Sequence, residues 1–125
     1  MKKIDVPVSF EDSRGKIIDL VENEEINAIT RITFTKGAVR ANHYHKKTYQ
    51  YNYVVSGKIE LVTQFEDGPI NSVILGPGDF ALTVPMEKHA LKAHEDADLL
   101  VFTRGPRGGK EYESDTFRLD VPLIK

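Results

Sequence analysis

A chain of 125 residues with 17 basic and 19 acidic side chains, a formal charge of −2 and a pI near 6.1 offers no broad basic face to a nucleic-acid backbone. Its length suits a single domain, enough to bury roughly two-thirds of the surface the unfolded form exposes. It contains no cysteine, which excludes disulfides, thiolate zinc sites and cysteine nucleophiles together and leaves histidine, aspartate, glutamate and glutamine as possible metal ligands.

Near the N-terminus, Asp5 and Pro7 interrupt the chain before any apolar run could serve as a signal sequence. Nothing approaches the ~20 apolar residues of a membrane-spanning helix. A cytoplasmic protein with neither a membrane nor a nucleic-acid partner is expected. Short apolar runs then recur between turn signals, and no long stretch has a helical period. Strands are predicted at Ile4 to Val8, Lys16 to Val21, Ala28 to Thr35, Tyr49 to Ser56, Lys58 to Gln64, Ser72 to Leu75, Phe80 to Val84, Ala90 to Ala93 and Leu99 to Thr103. Only Glu22 to Ile26 suggests a helical turn or two. So many short strands at this spacing point to an all-β sandwich or barrel.

The stretch from Arg40 to Gly57 holds the densest chemistry. His43 and His45, on one strand face, would stand roughly 7 Å apart at their α-carbons, close enough to converge on one ion or one substrate carbon. A break at Lys46 to Thr48 lets the chain turn so that Gln50, Asn52 and Val54 face the same interior. Tyr49, Tyr51, Tyr53 and Val55 then face outward, and three large rings on an outer face predict a covering second sheet or subunit, hence a homodimer. The plainer alternative is a pair of edge histidines with no common partner. Gln50, His89 and the flanking glycine turns favour a functional pocket instead.

The end of the chain differs in character. Arg104 to Lys110 is a basic, glycine-rich loop in which Arg104, Arg107 and Lys110 are read as solvated. It is no phosphate-binding loop, because Lys110 is followed by Glu111 rather than Ser or Thr. Residues 106–125 are read as a tail folded over a barrel edge or reaching a partner subunit. His94 is read as a solvated loop residue, and Asp115 and Arg118 as an ion pair.

Gly37, His43, His45, Gln50 and Gly57 resemble the first motif of the cupin superfamily: glycine, five residues, His-x-His, a gap, glutamate or glutamine, six residues, glycine. Gly78 through Pro85 to His89 resembles the second, with Met86 at the usual loop glycine. The resemblance covers about residues 30–105 and implies one cupin domain over residues 1–125, a double-stranded β-helix or jelly-roll barrel. Arg40 with His43 to Gln50, and Val84 to His89, are further similar to bacterial nucleotide-sugar 3,4-ketoisomerases. Asp12 to Gly15 also resembles the opening of these enzymes and of the dehydrorhamnose 3,5-epimerases.

That closer resemblance implies an isomerase or epimerase acting on a nucleotide-linked 4-keto sugar. Such chemistry takes a proton from the carbon beside the carbonyl and returns one elsewhere, and an imidazole can do both at neutral pH. The resemblance casts His45 as the base, His43 as its relay, Gln50 and Asn52 as sugar contacts and Arg40 as the diphosphate ligand. No cofactor is then required. The same residues read as a metal cupin would place Zn, Fe, Mn or Ni on His43, His45, Gln50 and His89 for an oxygenase or metal-assisted isomerase. A third reading is a non-catalytic barrel that binds a sugar or effector.

Overall fold

Runs that alternate apolar and polar residues settle as strands where one face can be buried and the other left to water. The computed structural model describes residues 1–106 and 110–125. Its strands are β1 (Lys2–Ile4), β2 (Phe10–Asp12), β3 (Gly15–Ile17), β4 (Ala28–Phe34), β5 (Val39–Tyr44), β6 (Tyr49–Ser56), β7 (Ile59–Phe65), β8 (Ile70–Leu75), β9 (Phe80–Thr83), β10 (Glu87–Ala93), β11 (Ala97–Arg104) and β12 (Phe117–Arg118), with one short helix, α1 (Lys110–Ser114), before the last. Two five-stranded antiparallel sheets, ordered β1-β9-β6-β11-β4 and β12-β5-β10-β7-β8, enclose the interior, and β2 pairs with β3 in a separate hairpin. The fold is the expected all-β barrel. Among the described residues no helix is long and apolar enough to cross a membrane.

Several local expectations are corrected. The run Ile4 to Val8 contributes only its first residue to β1, since Pro7 has no N–H to give a ladder. Only Lys16 and Ile17 of the run Lys16 to Val21 are in a strand, paired with β2. Glu22 to Ile26 is not helical, and Asn23 takes a left-handed conformation with φ 56°. The strand β5 escapes the alternation because Ala41 and Asn42 have φ of 70° and 56°, so the apolar-polar rhythm is broken inside it. Helix α1 was not expected. The tail does fold over a barrel edge, with Phe117 and Arg118 pairing with Tyr44 and His43. Arg107 lies outside the described residues.

The interior is apolar at one end and polar at the other. On β6, Val54 gives way to Asn52 and Gln50; on β11 their partners run Leu99, Val101, Thr103. On β7 the inward residues run Ile59, Leu61, Thr63, opposite Ala93, Leu91 and His89 of β10. One apolar cluster joins Phe34, Val54, Ile59, Leu61, Leu75, Leu99 and Val101 from both sheets. Each fully buried aliphatic side chain there contributes about 1.5–3 kcal/mol. The cluster fixes the sheets, and the opposite end is free to carry chemistry.

Outside the first sheet, Tyr51 stacks on Phe80 at 5.9 Å, and Tyr53 and Phe102 approach the same ring edge-on. Tyr51 is thus only 9% exposed within a single chain and needs no second subunit to cover it. Gly57, which ends β6, has φ +84°, and an added Cβ would lie 2.7 Å from the Ala97 Cα. Gly57→Ala is therefore expected to destabilise the protein by roughly 2–4 kcal/mol through left-handed strain and backbone collision, as a shifted urea midpoint will show.

Candidate functional site

The strand β5 reaches the polar end of the barrel through a bulge. His89 of β10 faces His43 while the next residue, Ala90, faces Ala41, so Asn42 is the extra residue on β5. A bulge of this kind re-aims the neighbouring side chains. His43 is turned inward, and the Asn42 side chain is given to the tail: its oxygen accepts from the Leu123 and Ile124 amides at 2.8 and 3.2 Å, and its nitrogen donates to the Ile124 carbonyl. His45 follows where the β5 ladder ends. The three imidazoles converge, with the His43 ring 4.7 Å from both His45 and His89 and the latter two 5.4 Å apart.

Between β5 and β6 the chain turns, and its amides find no strand partner. Asp115, just after α1, fills that need: its carboxylate accepts from Lys46 N at 3.0 Å, Lys47 N at 3.2 Å and the Thr48 hydroxyl at 2.7 Å. The expected Asp115–Arg118 pair does not form, because burying Asp115 in this turn satisfies three donors, whereas Arg118 stays outside and meets Glu113 at 3.5 Å. The main-chain carbonyl of Asp115 accepts from His45 Nδ1 at 2.8 Å. A carbonyl carries no hydrogen, so the proton sits on Nδ1 and the lone pair on Nε2. His89 is set in the same way, its Nδ1 donating to the Glu87 carbonyl at 3.1 Å.

The electrostatics keep His43 and His89 neutral. Burial first, then the neighbouring His89 and His45 and finally Arg118, push the His43 pKa down to about 3. Burial, with His45 second, pushes His89 down to about 3 as well. Both are therefore unprotonated at neutral pH, the form that can accept a proton or ligate a metal. Asp115 is held below the usual carboxylate range, because the Thr48 hydroxyl and the two amides outweigh the upward push of burial.

A cavity of about 180 Å³ opens beside the cluster, lined by His43, His89, Gln50, Asn52, Arg40 and Tyr112 together with apolar residues. The structure thus brings together the residues singled out in the sequence. Asn52 uses its amide nitrogen on the Gln50 and Ala81 carbonyls, so only its oxygen can serve a ligand. Arg40 donates to the Thr33 carbonyl at 3.1 Å and lies over the Phe34 ring, bridging β5 to β4 while staying exposed. His45 is 2% exposed, with its ring 5.4 Å from Tyr112 of α1. His94 does lie at the surface, where it meets Glu60 at 2.9 Å. A larger cleft of about 510 Å³ runs beneath the C-terminal tail, lined by Tyr44, Asp67, Lys88, Arg118 and Asp120 but by no histidine.

Sequence reasoning missed Asp115, Tyr112 and the threonine floor of the site. Thr83 and Thr103 flank Gln50 in the first sheet, and Thr63 flanks His89 in the second. The Thr63 and Thr103 hydroxyls are fully buried without a partner among the described residues. Buried polar atoms of this kind mark a place built to meet a ligand or ordered water rather than an apolar core. Met86, at the position of the resembling motif's glycine, has φ 70°, a conformation glycine favours, and donates its N–H to the His45 carbonyl at 2.6 Å.

Comparison with known proteins adds to this geometry. The cupin domain profile matches residues 30–103. No curated protein sequence matches the chain. A 3,4-ketoisomerase from Helicobacter canadensis superposes with a TM-score of 0.78 at 24% identity, over 94% of this chain and 90% of that one. A variant 3,4-ketoisomerase from Thermoanaerobacterium thermosaccharolyticum, in complex with TDP-4-keto-6-deoxyglucose, gives 0.71 at 21% identity, over 94% and 83%. The dTDP-4-dehydrorhamnose 3,5-epimerase from Sulfolobus tokodaii gives 0.72 at 18% identity, over 91% and 77%.

Proposed function

The chain belongs to the cupin family, and from that premise we propose that it isomerises or epimerises a nucleotide-linked 4-keto sugar by histidine acid-base catalysis. The observation that carries this reading is the convergence of His43, His45 and His89 with Gln50 at the polar end of the barrel, beside a cavity with room for about one sugar ring. Ligand pockets for whole drug-sized molecules are usually 300–1,000 Å³. The nucleotide therefore lies outside, with its diphosphate at the mouth against Arg40.

His45 is the base. With pKa values near 3, His43 and His89 are weakly basic for removing a proton beside a ketone at neutral pH, where a catalytic base works best with a pKa near the operating pH. His45 Nε2 carries a lone pair fixed by the Asp115 carbonyl. His43, in ring contact with His45 and on the cavity wall, passes the proton on, and Gln50 holds the sugar oxygen. Substrate entry displaces the Tyr112 ring from beside His45. A homodimer through the outer face of the first sheet, where Ile29 is 65% and Val55 45% exposed, belongs to the same reading.

The deciding experiment is a proton NMR time course with TDP-4-keto-6-deoxyglucose in D₂O, run with and without chelator. Deuterium entering at the carbon beside the carbonyl in both arms supports acid-base catalysis. Binding with no exchange makes the protein a sugar-nucleotide-binding module.

A second reading rests on the three ring nitrogens of His43, His45 and His89 lying within 4.8 Å of one another. This donor set fits a divalent ion, and Zn²⁺, Fe²⁺, Mn²⁺ or Ni²⁺ would be held by these three with Gln50. Such an ion supplies Lewis-acid polarisation of a substrate carbonyl. A neutral Gln50 instead of a carboxylate weakens the site. Under this reading His43→Ala is expected to lower the metal content of the purified protein about tenfold or more, measured by elemental analysis.

A further inference from the structure

The carboxylate of Asp115 belongs to no motif in the chain, yet this residue grips the histidine turn from two sides. Its side chain gathers the amides of Lys46 and Lys47 and the hydroxyl of Thr48, and its own carbonyl takes the His45 ring proton. All three side chains are buried or nearly so at the contact: His45 is 2%, Thr48 1% and Asp115 5% exposed. The carbonyl that reads the imidazole cannot shift unless the carboxylate three bonds away lets go of the turn. Helix α1 adds a stop, since the Asp115 amide donates to the Tyr112 carbonyl at 3.1 Å and the Thr116 hydroxyl to the same carbonyl at 2.7 Å.

We propose that Asp115 is a positioning residue that locks the His45 ring in the Nδ1–H tautomer by anchoring the tail to the turn at residues 46–48. The inference rests on the proposed role of His45, but the clamp itself can be tested without turnover. In a long-range ¹H–¹⁵N spectrum the wild-type His45 ring shows one tautomer, with its proton on Nδ1. Asp115→Asn removes acceptor capacity and places an NH₂ against amide donors, so the clamp opens. The His45 signals then shift toward a mixture of tautomers, and deuterium uptake into the 4-keto sugar falls about tenfold or more with little change in KM.

Thr48→Val, which deletes one bond to the carboxylate and leaves Asp115 in place, shifts the same signals less. Thr48→Ser keeps the hydroxyl and restores the wild-type spectrum. This pair keeps the test alive if Asp115→Asn fails to fold. A folded Asp115→Asn or Thr48→Val protein whose His45 retains the single wild-type tautomer overturns the proposal. If the wild type shows no deuterium uptake at all, the catalytic reading falls while the tautomer shift still decides the clamp.

Discussion

Replacement of His45 by asparagine is expected to lower deuterium uptake into a nucleotide 4-keto-6-deoxy sugar by about 10²–10⁴-fold, the usual worth of a general base. The fold should survive, because asparagine can still offer a side-chain N–H to the Asp115 carbonyl that His45 Nδ1 now serves. Circular dichroism and the urea midpoint check that the loss is chemical. The companion variant His43→Asn should lose less, since the role proposed for His43 is to relay the proton rather than to take it from carbon. A His43→Asn protein that is inert while His45→Asn keeps most of its rate would transfer the base to the residue on the cavity wall.

The second large effect is on stability. His89 is 4% exposed and its pKa falls from 6.5 in a free side chain to about 3 when folded. Between these values the unfolded chain holds a proton that the folded chain does not, so stability falls as pH falls through the window. From pH 7 to pH 5 His89 alone should cost roughly 2 kcal/mol, and half-buried His43 adds a smaller amount after solvent screening. Carboxylates held low in the fold, such as Asp98 beside Arg31 and Glu60 beside His94, lose their stabilisation only at pH values below this range. Urea melts at pH 7, 6 and 5 measure the slope. His89→Gln should flatten it by up to one proton, and an unchanged slope in that variant would falsify the assignment.

Much of this was legible in one dimension. His43, His45 and Gln50 lie within eight positions, so one short stretch of sequence carries three of the converging side chains. A signal that was present but not used is the switch in each strand's inward face. Val54 to Gln50, Leu99 to Thr103, Ile59 to Thr63 and Ala81 to Thr83 all pass from apolar to polar toward the same end. Those switches mark one end of the barrel before any pairing is known. Asp115 was not legible, because nothing in its neighbours reveals that a turn 70 residues earlier lacks acceptors for its amides. The bulge at Asn42 was hidden for a related reason: its left-handed residues are an alanine and an asparagine rather than glycine.

The strand order has a kinetic consequence. Among the described ladders, only β2 with β3 and β7 with β8 join strands adjacent in sequence. Every other pairing closes a longer loop before it gains a contact, so the chain should fold on the millisecond-to-second scale of non-local β topologies. His43 and His89 meet only when β5 and β10 have annealed, and the Asp115 contact to His45 needs the tail from the far end of the sequence. The histidine cluster is therefore among the last parts of the molecule to exist. A nascent chain still lacking its final fifteen residues would have a β5 edge open to other strands, making release from the ribosome the moment of greatest risk of aggregation.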